Sequence, residues 1–118
     1  MQVGPEPVFS ILSAARLRGI EPLPIAVLVL VPSKDELHFR FRLDLSDKVD
    51  EEAIEVLQGW PDMIASLAND HGGVQVFRMF EDGLANYVRM TDPEPVTISG
   101  DDVKSALDML FRKYIDGG

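Results

Sequence analysis

"IAVLVLV", residues Ile25 to Val31, decides the fold. It is apolar throughout, rich in valine, and bracketed by Pro24 and Pro32. β-branched residues favour extended backbone, and flanking prolines punctuate a strand. A strand that is apolar on both faces needs cover in front and behind. Something must shield Ala26, Leu28 and Leu30 on one side, or Ile25, Val27, Val29 and Val31 on the other. A helix of the chain can do so, and so can a second copy in a symmetric interface. The run is far too short to span a bilayer as a helix.

The next segment answers this strand. "PSKDE" makes a turn, and "ELHFRFRLDL", residues 36 to 45, then alternates with almost no error. Leu37, Phe39, Phe41, Leu43 and Leu45 fall on one side; His38, Arg40, Arg42 and Asp44 fall on the other. An antiparallel hairpin is the simplest connection.

Upstream, "PVFSILSAARLRG" (residues 7 to 19) reads two ways. Val8, Ile11, Leu12 and Ala15 sit at helical spacing, with Pro7 at the start and Gly19 at the end. A strand would use Phe9, Ile11, Ala15 and Leu17, but Ser13 interrupts it. The helix is preferred.

Downstream, residues 49 to 73 are expected to be helical. Ala53, Ile54, Leu57, Trp60, Ile64, Leu67 and Ala68 keep three-and-four spacing. Asp50 can cap, and Glu51 and Glu52 suit the positive end of the helix dipole. Gly59 and Pro61 either kink the helix or let Pro61 open a second one. Gly72 and Gly73 end it. "VQVFRMFEDGLANYVRM", residues 74 to 90, is expected to form a second hairpin around Asp82-Gly83. A closing helix follows. Ser99 and Asp102 have capping-box spacing, and Val103, Ala106, Leu107, Leu110 and Phe111 form its buried stripe. The expected order is α-β-β-α-β-β-α. That is one α+β domain over residues 1–118, with an antiparallel sheet of about four to five strands and three helices.

Composition narrows the function classes. Twenty acids face eleven bases, a net charge of -9, and there are no cysteines. Phosphate neutralisation needs a net basic surface, so nucleic acid and anionic membrane are poor partners. Disulfides and thiolate metal sites are ruled out. The N-terminus has no basic stretch followed by a long apolar one, so a cytoplasmic protein is expected. Nucleotide-binding, nucleophile-elbow and zinc-helix motifs do not occur. No catalytic residue, metal ligand or cofactor is assigned, and an enzyme is not expected. Met63, Met79, Met90 and Met109 are expected to fill core positions.

The cations raise the remaining question. Arg40, Arg42, Arg78 and Arg89 all fall on expected strands. With a two-residue second hairpin, Arg78 lies opposite Tyr87 and Arg89 opposite Val76, on one face. Such a face is either a solvated surface paired to local acids or a docking surface, since interfaces enrich arginine and tyrosine. Trp60, Arg40, Arg42, Arg78, Tyr87 and Arg89 are the partner-contact candidates. His38, Arg40 and Arg42 are an alternative set for a small anion or metabolite, because guanidinium forks bind carboxylates and phosphates.

The element order, small size and acidity resemble the class I type III secretion chaperones and the bacterial YbjN-like regulators that share their fold. The likeness is closest from the helix "MIASLANDH" through the strand "VQVF", the turn "EDG", the strand "ANYVRM" and the capped helix "SGDDVKSALDMLFRKYID". In the first half, "RLRGIEPLP" resembles the end of a first helix running into the sheet. The resemblance implies a non-enzymatic, homodimeric binder of protein segments, chaperone-like or regulatory. No functional residue is carried over from it.

Overall fold

In the computed structural model, Ile25–Val31 makes up most of a strand covered on both faces by the chain's own helices. Residues 6–14, 23–42, 51–83, 88–98 and 102–116 are described. The strands are β1 (Val8–Ala14), β2 (Leu23–Val31), β3 (Glu36–Phe41), β4 (Val88–Met90) and β5 (Glu94–Pro95). The helices are α1 (Glu51–Gln58), α2 (Trp60–His71), α3 (Gly73–Asp82) and α4 (Val103–Phe111), with a π-helical turn over Arg112–Asp116. The five strands form one antiparallel sheet in the order β3-β2-β1-β4, and β5 pairs with β1.

The α+β class and the antiparallel sheet are as expected, but the element order is not. Among the described residues the first element is a strand. Phe9 and Ile11 point to one layer, and Val8, Leu12 and Ala14 to the other. Adjacent apolar pairs such as Ile11-Leu12 mimic helical spacing, yet here they record burial on both sheet faces. Ser10 is buried among apolar neighbours, with no partner for its hydroxyl among the described residues. Ser13 falls at an irregularity where Leu12 pairs with Ala26 but Ser13 pairs with Pro24. Ile25 is the extra residue of this bulge, so Ile25 and Ala26 both enter the same core.

The second correction concerns residues 74 to 82, which are helical. Gly73, Val76, Phe77 and Phe80 are the buried positions of α3, a stripe at helical spacing. The expected hairpin over 74–90 and its Val76–Arg89 and Arg78–Tyr87 pairings therefore do not form. Instead β4 runs beside β1, with Arg89 opposite Ser13. Of the elements that carried the family likeness, "VQVF" is thus helical and residues 8–14 of the expected opening helix are a strand, while residues 15–22, most of "RLRGIEPLP", lie outside the described residues. At Gly59 the helix divides: α1 ends and α2 begins, with Pro61 in its first turn. The closing helix starts at Val103 on the N-cap Asp102, while Ser99 and Asp50 lie outside the described residues.

Two cores result. On one face Leu12, Ile25 and Leu28 meet Leu57, Trp60, Ile64, Val76, Phe77 and Phe80 from α1–α3. On the other Phe9, Ile11, Val27, Val29 and Val31 meet Val103, Leu107, Leu110, Phe111 and Ile115. No second copy is needed to shield β2.

A glycine pair fastens the first layer to the sheet. Asp35 follows the 3-10 turn Pro32–Lys34 in left-handed backbone, φ 53°. Its carbonyl accepts from Gly73 N–H at 3.0 Å, and its Oδ1 accepts from Val74 N–H at 2.8 Å. Asp35 thus caps α3 from a distant turn. Gly72 has φ +87°, and a Cβ at Gly73 would lie 2.5 Å from the Leu37 nitrogen. Only glycine permits both features. We expect Gly73→Ala to lower unfolding free energy by roughly 1–3 kcal/mol, because backbone must move. Gly83→Ala, which meets nothing within 4 Å, should change it by no more than about 0.5 kcal/mol. Urea denaturation of the two variants checks the contrast.

Asp102 accepts from Ser105 N–H at 3.1 Å and from Ser105 Oγ at 2.7 Å. These bonds hold its carboxyl below the ordinary value of 3.8. A lowered folded-state pKa stabilises the protein above the unfolded-state value, and that stabilisation is lost as pH falls through the folded-state one. The stability gap between wild type and Asp102→Ala should therefore be full at neutral pH and narrow progressively below the ordinary aspartate range. Denaturation melts across the acid range measure it.

Candidate functional site

The structure does not bring the candidate arginines onto one surface. Arg40 lies on β3, an edge strand, and pairs across to Val27, so it faces the α4 layer. Its Nη1 donates to Asp108 Oδ1 at 2.6 Å, and its guanidinium lies 4.2 Å from the centroid of the Phe111 ring. The side chain is a strut that pins α4 to the sheet edge. Arg42 lies just past β3. Its backbone N–H donates to Ile25 O at 2.8 Å, and its Nη1 donates to Pro24 O at 3.1 Å. Arg78 is exposed on the outer side of α3, in the opposite layer, and Arg89 is exposed on β4 near the other sheet edge.

Trp60 is only 7% exposed, its ring tilted against Phe80 at 6.0 Å between centroids. The indole belongs to the core under α2 and α3 and offers little surface to a partner. Tyr87 lies outside the described residues. His38 shares the α4-facing side with Glu36 and Arg40, and its Nε2 stands 3.2 Å from Glu36 Oε1. In the anion set, carboxylates of the chain already stand beside His38 and Arg40, and a backbone carbonyl holds Arg42. A bound anion would have to displace Glu36 and Asp108.

Other features emerge that the sequence alone did not single out. Met63, Met79 and Met109 are 39%, 40% and 57% exposed, against the expectation of core filling; only Met90 packs on a core. Met63 lies one turn beyond Trp60, and Met79 lies beside Phe80. Since the rings of Trp60 and Phe80 meet, both methionines sit at the same end of the α2–α3 pair. The outer side of α4 carries an open groove of about 480 Å³ lined by Ser105, Asp108, Met109, Arg112 and Lys113. A hollow of about 260 Å³ lies between the end of α3 and the β4–β5 segment, with Arg89, Glu81 and Asp92 in its wall. The helical spacing of Ser105, Met109 and Arg112 was a usable signal for the groove. It reads equally well as a solvated face until the opposite face is known to be buried.

Among the described residues no group of three or more His, Asp or Glu side chains gathers to hold a metal ion. No helix among them is long and apolar enough to cross a membrane. Comparison with family models, with curated proteins and with solved structures finds no match for the chain.

The strut has a measurable consequence. Arg40 and Asp108 are half exposed, at 46% and 37%, so solvent screening limits their coupling to roughly 0.2–1 kcal/mol. Arg40→Ala should destabilise more than Asp108→Ala, because it also removes the contact with Phe111. A double-mutant cycle by chemical denaturation reads both quantities.

Proposed function

We propose that the protein is a non-enzymatic protein-binding module, chaperone-like or regulatory, that works as a homodimer. The observation that carries this reading is the outward placement of methionines on the helical layers. Methionine is flexible and polarisable, and exposed sets of it suit surfaces that adapt to another protein.

The self-association surface is the outer face of α2 and α3, with Met63 and Met79 as apolar contacts and Arg78 beside them. Among the described side chains of α1–α3, Glu55, Asp62, Asp70, Glu81 and Asp82 are exposed, against one arginine, Arg78. Two such faces repel each other at low ionic strength, while each Arg78 meets an acid-rich face on the other copy. The apolar contact is indifferent to salt, whereas the repulsion is screened by it. The dimer should therefore strengthen as salt is added.

Light scattering at low and high ionic strength tests this. The wild type should give a dimer mass that persists to lower protein concentration in high salt. Met63→Glu with Met79→Glu should give a monomer under both conditions. A wild-type monomer throughout would sink the dimer. An unchanged mass in the double variant would sink the surface assignment.

A further inference from the structure

We infer that the groove on the outer side of α4 is a docking site for an acidic segment of a partner protein carrying an apolar residue. This rests on the reading of the protein as a binding module and names the chemistry of what is bound.

The groove differs from the rest of the molecule in charge. The chain has a net charge of -9, yet residues 102–116 hold three acids and three bases. Among the described residues, Asp108 is the only carboxylate lining the groove, and it is already paired with Arg40 at 2.6 Å. Arg40 reaches it from β3, beneath the helix. With Asp108 neutralised from below, Arg112 and Lys113 set the sign of the groove, which is positive. No described carboxylate pairs with either of them.

The helix geometry keeps both cations outward. The backbone widens from α-helix to π-helix at Arg112. Within that turn Ile115 enters the core, and Tyr114 packs against Phe9 with 5.6 Å between ring centroids. Lys113 Nζ lies 5.3 Å from the Tyr114 ring centroid, which limits its range. Arg112 and Lys113 are therefore displayed side by side on a well-anchored turn. Such turns often occur at functional positions.

Between the cations and Ser105 sits Met109, at 57% the most exposed large apolar side chain of the described residues. An apolar centre with cationic neighbours fits a segment whose carboxylates flank one apolar side chain. Phosphate-bearing polymers fit poorly, because the acidic remainder of the chain repels a long polyanion while a short segment contacts the groove alone.

The test uses the full chain and a fluorescein-labelled, glutamate-rich peptide with one central leucine. Anisotropy should rise saturably, and affinity should fall as salt is added, opposite to the trend for self-association. Arg112→Ala with Lys113→Ala should weaken binding about tenfold or more. Met109→Glu, or replacement of the leucine by glutamate, should also weaken it. Circular dichroism melts of the variants check that they fold. No binding by the wild type, equal binding of a lysine-rich counterpart, or undiminished binding by the folded double-alanine variant would overturn the assignment. A change in solution mass in that variant would make a second copy the occupant and overturn it too. Loss of the methionine-dependent dimer is a separate measurement, so the two proposals fail independently.

Discussion

The structure depends on the double-sided burial of β2. Ile25 through Val31 are all buried, and their neighbours belong to two separate cores. A strand with no wet face forces a three-layer arrangement, with helices both above and below the sheet. Every other element is placed by this demand. β1 and β3 flank β2 as its hydrogen-bonding partners, α1–α3 close one face, and α4 with its π-turn closes the other. The bulge at Ile25 adds apolar surface to the larger core without breaking the pairing beyond it.

Two tertiary ties fix the layers against the sheet, and both start from the β2–β3 hairpin. Asp35, in the turn, supplies the hydrogen bonds that the first amides of α3 lack. Arg40, five residues later in the strand, reaches the other layer and holds Asp108. One short hairpin therefore registers both helical layers. The close approach of Gly73 to Leu37 also crowds the start of β3. Edge strands invite unwanted pairing, and a helix corner pressed on the edge is one way to discourage it.

How much of this was legible in the sequence follows from what each segment packs against. β2 and β3 were readable because proline brackets and strict alternation left one interpretation. The middle helices were readable from spacing, and Gly59-Trp60-Pro61 divides them as one of the two expected ways required. β1 was misread because two-sided burial puts apolar residues at adjacent positions, which a single chain cannot distinguish from a helical stripe. Ser13, at the irregularity in the β1–β2 pairing, interrupts the alternation as well. α3 was misread because "VQVF" carries two β-branched valines and its segment leads to a plausible turn at Asp82-Gly83. Its spacing of Gly73, Val76, Phe77 and Phe80 becomes decisive only once the α1–α2 layer exists to receive it. The expected common face for the arginines does not form for the same reason: Arg78 follows α3, and Arg40 and Arg42 turn toward groups distant in sequence.

The layering also determines what the molecule can present to a partner. Because the chain's own helices cover both sheet faces, an interaction surface has to lie on the outer sides of those helices or at the sheet edges. The helical layers are chemically unequal. The α1–α3 layer is acidic with methionines at one end; the α4 layer is balanced in charge overall, with its lining acid neutralised by a strut from the sheet. Removing Arg40 would therefore do more than loosen α4. It would free Asp108 to offset part of the charge of Arg112 and Lys113, so the same contact that secures the fold also sets how positive the groove outside it is.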